Sequence, residues 1–395
     1  MPLWRTLSMN NQFDNIINRQ DSDSIKWHFF DPDVLPLWVA DMDFISPQPV
    51  IEALQNRVRH GVFGYPVDSK GLIGAAVDWV KNRHGWLITP EQVVIIPSLV
   101  AGFNLAARAF CNGRPLIMQT PAYPPFFQVA AHAGVERVLN VIQSSANGYE
   151  LDLDDFEKSA SRGAGVFLLC NPHNPTGRVF SRDELERLAQ ICLAYHITIC
   201  SDEIHSDLVY PGQKHIPIAS LSPEIAESTV TLIAPSKTFN IAGLCTALAI
   251  IPSAEKRKQF LEADPGLIGH ANVLGQTAAE AAYRHGQPWL DELIPYLEAN
   301  RNYLVDFIRR ELPEISVFSP QGTYLAWLNC QGLDLPGGNP AQFFKTKAKV
   351  GFNYGGDFGP GFEQYVRINF GCPRSVLVES LNRMKLGIGQ KRINK

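Results

Sequence analysis

GVFLLCNPHNPTGRVFSRDELERLAQICLAYHITICSD, residues 165–202, reads as a complete strand, loop, helix, strand unit. GVFLLC and ITIC are short, continuous apolar runs bounded by turn residues, the pattern of strands buried on both faces. Between them, Ser181 followed three residues on by Glu184 makes a capping box. Leu185, Leu188, Ala189, Cys192 and Tyr195 then recur at three and four, the period of one helix face. Two buried strands joined through a helix form a βαβ crossover, which places them parallel in one sheet.

Outward from this unit the pattern repeats. The apolar runs VVII, PLIMQ, VERVLNV, TVTLIA and ALAIIP alternate with helical stretches. Together with the first pair they predict an α/β fold whose mostly parallel, seven-stranded sheet lies between helices. Before this region, LPLWVA (35–40) reads as a short extended run. Ser46-Pro47 opens a helix through Val50, Leu54 and Val58, and a turn-rich loop leads to a second helix from Leu72 to Arg83. Beyond Ala254 the texture is helical, with a long segment from Trp289 to Leu312. Short strands (TYLAWLN, YVRINF) and a closing helix from Ser375 complete the chain. The expected division is a large domain over 48–288 and a smaller α+β domain built from 1–47 and 289–395.

Composition narrows the function. The 395 residues are 45% hydrophobic and 19% charged, ordinary globular usage, with a formal net charge of -4. No basic surplus points to nucleic acid or an anionic membrane. Seven scattered cysteines contain no C-x-x-C pair and read as reduced core residues of a cytoplasmic protein. The opening residues, MPLWRTLSMNNQFDNIINRQ, lack the apolar segment of a signal peptide. The most apolar window, Val93 to Cys111, carries Pro97, Gly102 and Arg108 and makes a poor membrane span.

In open α/β sheets ligands sit outside the carboxyl ends of the strands, so the loops after FLLC, ITIC and TLIA should gather at one site. The first loop, NPHNPTGRVF, has two Asn-Pro pairs and a glycine that force a non-helical turn and leave Asn174 free to bond outward. The second places Asp202 at a strand end with Glu203, His205 and Asp207 close behind. Their spacing matches no familiar metal-ligand pattern, so no metal is expected. Asp202 reads instead as a buried anion whose cation comes with a ligand. The third, APSKTFNIAGL (234–244), delivers Lys237 where a buried strand ends. Alone it is a solvated loop lysine, since lysines are mostly exposed. An asparagine, an aspartate and a lysine at successive strand mouths, 28 and 35 residues apart, are together what pyridoxal 5'-phosphate asks for. Its ring nitrogen needs a carboxylate, its aldehyde a lysine, and its phenolic oxygen a hydrogen bond.

NPHNPTG, SDEIH and PSKTFNIAGL, in this order, resemble the class I/II pyridoxal-phosphate-dependent aminotransferases of fold type I. More narrowly, LPLWVADMDF, GVFGYP, PAYPPF, SDEIHSDL, SKTFNIAGL and VRINFGCPR resemble the MalY/PatB-type C–S lyase branch, the cystathionine β-lyases. The resemblance runs from about Phe13 to the closing helix. It implies that Lys237 forms the Schiff base with the cofactor, Asp202 pairs with its ring nitrogen and Asn174 bonds its ring oxygen. Tyr123 would stack on the ring, and Tyr65 would reach the phosphate of the neighbouring subunit in a homodimer with shared active sites. Arg367 would clamp the substrate carboxylate, a bidentate task that suits guanidinium. Val100, Ala101 and Gly102 would offer a phosphate cradle at a helix start. Tyr123 as a core aromatic and Arg367 as a surface ion pair are the bland alternatives.

Three departures from the aminotransferase pattern bear on the reaction. Cys245 stands where the aminotransferases usually carry a phosphate-binding arginine, which agrees with the lyase branch. Ala234 replaces a phosphate-binding serine, leaving Ser236 to contribute. His205 stands where the transaminases have a tyrosine, as in the lyases. SLVAGFN also lacks a proline that the family usually has. The expected activity is α,β-elimination from an amino-acid substrate: Lys237 takes the Cα proton and a thiolate leaves from Cβ, giving pyruvate and ammonia from cystathionine or related cysteine S-conjugates. Transamination uses the same residues and is the alternative. A cofactor-binding regulator would usually carry a DNA-binding module, and none is visible. An idle interaction protein would be expected to lose Lys237 or Asp202.

Overall fold

All seven apolar runs become strands of one sheet in the computed structural model, which describes residues 12–145, 148–335 and 338–393. The stretch 1–11, part of the opening segment that lacks a signal-peptide pattern, lies outside the described residues. The strands are β1 (Val93–Ile96), β2 (Leu116–Thr120), β3 (Arg137–Val141), β4 (Val166–Cys170), β5 (Thr198–Asp202), β6 (Thr229–Ile233) and β7 (Ala247–Ile250). Their order across the sheet is β1-β7-β6-β5-β4-β2-β3. Neighbours from β6 to β3 are parallel, while β7 is antiparallel to β6 and β1. Between Ile233 and Ala247 the only helical turns, Pro235–Thr238 and Ala242–Leu244, are too short for a parallel crossover, so the chain turns straight back.

The longest helices among the described residues are α1 (Gln48–His60), α2 (Lys70–His84), α3 (Leu99–Phe110), α4 (Arg182–Ala194), α5 (Val273–His285), α6 (Gln287–Glu311) and α7 (Arg374–Ile393). The strand pleat sends alternate residues to opposite faces. Leu116, Met118, Val166, Leu168 and Cys200 share one cluster with Leu99, Phe103 and Phe110 of α3. Ile117, Phe167, Leu169 and Ile199 share another with Leu185, Leu188 and Cys192 of α4. Both faces are therefore covered, which is why these strands read as unbroken apolar runs. The capping box at α4 is formed: Ser181 N donates to Glu184 Oε2 at 2.9 Å, and Glu184 N to Ser181 Oγ at 3.3 Å.

A second, four-stranded antiparallel sheet holds β8 (Ser316–Val317), β9 (Leu325–Asn329), β10 (Asn353–Tyr354) and β11 (Tyr365–Asn369), in the order β8-β9-β11-β10. The run LPLWVA, expected to be extended, pairs as a strand only at its start. Only Leu35–Pro36 pairs, in parallel with Val350–Gly351. From Trp38 onward its carbonyls are taken by side chains instead of a neighbouring strand. None of the seven cysteines is disulfide-bonded, and Cys245 alone is exposed.

Gly177, in the loop after β4, adopts φ +70°, and a Cβ there would lie 2.6 Å from Pro320 Cβ and 3.1 Å from the Gly322 carbonyl oxygen. Left-handed strain and overpacking act together at this position. Gly177→Ala is expected to lower the unfolding free energy by about 3 kcal/mol, read as a fall in denaturant midpoint at unchanged slope. An unchanged midpoint would refute this role.

Candidate active site

Strands β4, β5 and β6 are consecutive in the sheet, and their register pairs Cys170 with Asp202 and Asp202 with Leu232. Their carboxyl ends are therefore level, and the three loops emerge side by side. The loop after β4 is locked by its own polar groups. Asn171 N donates to the Asp202 carbonyl at 3.0 Å, and Asn171 Oδ1 accepts from Phe180 N at 3.0 Å. His173 Nδ1 and Thr176 Oγ1 lie 2.8 Å apart, and Gly177 N donates to the His173 carbonyl at 2.8 Å. A fixed backbone holds Asn174, buried, with its Oδ1 accepting from Arg367 Nη1 of β11 at 2.9 Å.

Asp202 ends β5 with 5% exposure. One oxygen accepts from Ile204 N at 3.1 Å, and no cation pairs with it among the described residues. Burial pushes its carboxyl up to about 7, against the opposing effects of the Ile204 hydrogen bond and the Lys237 charge. Lys237 sits in the turn Pro235–Thr238, and its Nζ donates to the Ala40 carbonyl at 2.6 Å. Burial lowers its amine to about 8; Asp41 and Asp202 pull it upward and Arg367 downward.

Arg367 is 4% exposed and meets no carboxylate among the described residues. Nη2 donates to the Trp38 carbonyl at 2.9 Å and to Asn353 Oδ1 at 2.7 Å, Nε has no partner, and the guanidinium lies 5.1 Å from the Phe358 ring centroid. Burial lowers it to about 10, with Tyr123 and Tyr324 opposing. His205 is buried with Nδ1 unpartnered, and burial, then the Lys237 and Arg367 charges, hold its imidazole down at about 3, hence neutral. Tyr123 is half-buried, and its hydroxyl is raised by burial and by Asp202, with Arg367 opposing.

Asn174, Asp202, His205, Lys237, Tyr123 and Arg367 are thus gathered into one cluster, linked by the Arg367–Asn174 hydrogen bond and by the charges they feel from one another. Tyr65 does not join them in this chain; it is fully exposed on the segment between α1 and α2, beside exposed Val62, Phe63 and Val67. Ser236 is half-buried next to Lys237, and Cys245 lies exposed in a left-handed conformation, where it brings no cation. At the start of α3 the Ala101 amide donates to Ser98 Oγ and the Gly102 amide to the Ser98 carbonyl, both at 3.1 Å. That leaves the Leu99 and Val100 amides as the ones ahead of the first helical bond. A Cβ on Gly102 would come within 2.7 Å of Ile96 Cδ1 and 2.8 Å of Leu232 Cδ2, so glycine here serves the packing of helix on sheet.

Several contributors carry no motif: the Trp38 and Ala40 carbonyls, Asn353, and Tyr324, whose hydroxyl also donates to Ala40 at 3.0 Å. Main-chain acceptors leave no mark in residue type. The one signal was LPLWVADMDF itself, an irregular and aromatic stretch too polar at its end for a strand.

The family model for aminotransferase class I and II matches residues 32–383. Cystathionine beta-lyase PatB of Bacillus subtilis is 40% identical over 95% of this chain and 99% of its own length. Protein MalY of Escherichia coli is 34% identical over 92% of this chain and 95% of its own. The crystal structure of the PLP-bound C-S lyase from Staphylococcus hominis superposes with a TM-score of 0.89 at 33% identity, covering 95% of this chain and 98% of that one. Site geometry and likeness along nearly the whole chain lead to the same assignment: this chain belongs to the class I and II aminotransferase family, in the branch that holds PatB and MalY.

Proposed function

We propose that the protein is a pyridoxal-phosphate-dependent carbon–sulfur β-lyase of fold type I, acting on cystathionine or related cysteine S-conjugates. The observation that carries this reading is the meeting of opposites in one buried cluster. Among the described residues Asp202 is a buried carboxyl without a cation, and Arg367 a buried guanidinium without an anion. Buried charges need partners, and an amino acid together with the cofactor brings both. The donor set fits the cofactor: Asp202 for the ring nitrogen, Asn174 for the ring oxygen, Tyr123 for the ring face, Lys237 for the aldehyde, with His205 as a further cofactor contact. Ser236 and, at the start of α3, the Val100 amide are assigned to the phosphate, while the Ala101 and Gly102 amides are taken by Ser98.

Pyridoxal phosphate supplies, when bound, the electron sink that lets a proton leave Cα and a thiolate leave Cβ. Everything else falls to the chain. Arg367 orients the substrate by its carboxylate, held in plane by Asn174, Asn353 and the Trp38 carbonyl. Lys237, whose amine is neutral in a useful fraction near neutral pH, takes the Cα proton at Nζ. The Cβ–S bond breaks with its electron pair on sulfur, and hydrolysis of the released enamine gives pyruvate and ammonia.

We further take 48–288 as the cofactor-holding domain, and 1–47 with 289–395 as the smaller one that brings Arg367. The exposed Tyr65 beside Val62, Phe63 and Val67 is assigned to a partner subunit's cleft in a homodimer, since an apolar patch of this kind marks an interaction surface. Among the described residues no helix is long and apolar enough to cross a membrane. Unpaired, mostly buried thiols favour the cytoplasm.

Incubation of the loaded protein with L-cystathionine, and separately with an amino-acid and 2-oxo-acid pair, tests the reading. Equal amounts of thiol and pyruvate are expected from the first. A 2-oxo acid that keeps its thioether, with no thiol released, would assign the protein to transamination instead.

A further inference from the structure

The segment from Leu37 to Phe44 is read by its backbone. Arg367 and Asn369 of β11 donate to the Trp38 carbonyl and to those of Val39 and Asp41, at 2.9, 2.7 and 2.6 Å. Lys237 and Tyr324 converge on the Ala40 carbonyl, and Asn240, three residues after the lysine, donates to the carbonyls of Met42 and Phe44 at 2.9 and 2.7 Å. One stretch of main chain therefore links the turn that carries Lys237 to the strand that carries Arg367.

Two cations and two carboxylates fix the same stretch further, Lys26 also reaching the Asp41 carbonyl and Arg19 that of Met42. Arg19 bridges Asp41 at 2.8 Å and Asp43 at 2.6 Å. Lys26, with no exposure at all, lies 2.7 Å from Asp43 and 3.6 Å from Asp41. Two cations balance two carboxylates, and the consequence falls on Lys237. Asp41 directly follows the residue whose carbonyl Lys237 touches, yet its oxygens are turned to Arg19 and Lys26. The lysine meets a neutral acceptor in place of an ion pair. A direct pair with Asp41 would hold the amine protonated and occupied.

We propose that Asp41, tethered by Arg19 and Lys26, is a positioning residue for Lys237: it acts on the amine as a nearby charge while the adjoining Ala40 carbonyl orients it. The idea rests on the role of Lys237 as the base and adds to it the reason why the amine is left unpaired. The other groups that act on this amine are Asp202 at the end of β5 and Arg367 on β11, with His205 and Tyr324 beside them. None of these changes in the variants that test it.

The test is the titration of Lys237 in the full chain stripped of cofactor, read by pH-dependent competitive acylation and mass spectrometry of the Lys237 peptide. The unaltered protein should show a midpoint near 8. Asp41→Asn removes the nearby negative charge and should lower the midpoint by about one unit, roughly tenfold less protonated amine at a given pH. Arg19→Gln frees Asp41 to pair with Lys237 and should raise it by about one unit, and Arg19→Lys should restore it. Opposite signs separate positioning from scaffolding, because loosening the site in either variant would move both midpoints up toward 10.5, the ordinary value. Two upward shifts, or none, would overturn the proposal. A midpoint near 10.5 in the unaltered protein would instead count against the assigned role of Lys237 itself.

Discussion

Lys237→Ala is expected to lower kcat/KM for thiol release by at least about 10³-fold, the scale of losing a positioned general base and more where the same group also anchors the cofactor. Burial brings the titration of the amine that should take the Cα proton close to neutrality, to about 8. No neighbour can replace it. His205 is neutral, but the charges of Lys237 and Arg367 and its burial leave it a very weak base at about 3. Tyr123 is shifted the wrong way, upward. Exogenous small amines should restore part of the activity if the site is otherwise intact. The measurement is the steady-state rate of thiol release, with near-ultraviolet circular dichroism confirming the fold; loss of less than tenfold would exclude Lys237 as the base.

Asp202→Asn should separate stability from catalysis. In the cofactor-free protein the folded carboxyl titrates at about 7 against an ordinary 3.8, because burial disfavours its charge. A raised carboxyl contributes stability that is fully present below pH about 4 and is lost as pH rises through about 7, since the folded state binds the proton more tightly. Asparagine keeps an oxygen for the Ile204 amide and carries no charge. The cofactor-free variant should therefore melt above the parent at pH 8, by less at pH 5, and close to it only below pH about 4. Catalysis should move the other way. Loss of the carboxylate assigned to the ring nitrogen should lower kcat by roughly 10²-fold to 10³-fold, the usual cost of removing one fixed electrostatic contact. A variant that melts below its parent at pH 8 would show that the Asp202 charge is compensated in the fold.

Much of this architecture is legible in the chain. Strands covered on both faces must be apolar throughout, so Val166 to Cys170 and Thr198 to Ile199 announce themselves, and the Ser181–Glu184 box marks the helix between them. Asn174, Asp202 and Lys237 follow from topology, because parallel neighbours bring their carboxyl ends together. What stays hidden is what side-chain type does not encode. The 37–44 segment works through carbonyl oxygens, which every residue has. Gly102 sits in a loop-to-helix step that reads as a phosphate cradle, whereas its lack of a side chain answers to Ile96 and Leu232 across the sheet. The role of Tyr65 comes from the resemblance and from the exposed apolar patch around it, since none of the described residues receives it.

The lysine assignment is tested most directly by borohydride reduction of the cofactor-loaded protein, proteolysis and mass mapping. The cofactor mass should appear on the peptide containing Lys237 at close to one per chain, and on no other lysine. Stoichiometric label on Lys26, Lys256 or any other lysine, with Lys237 unmodified, would contradict it.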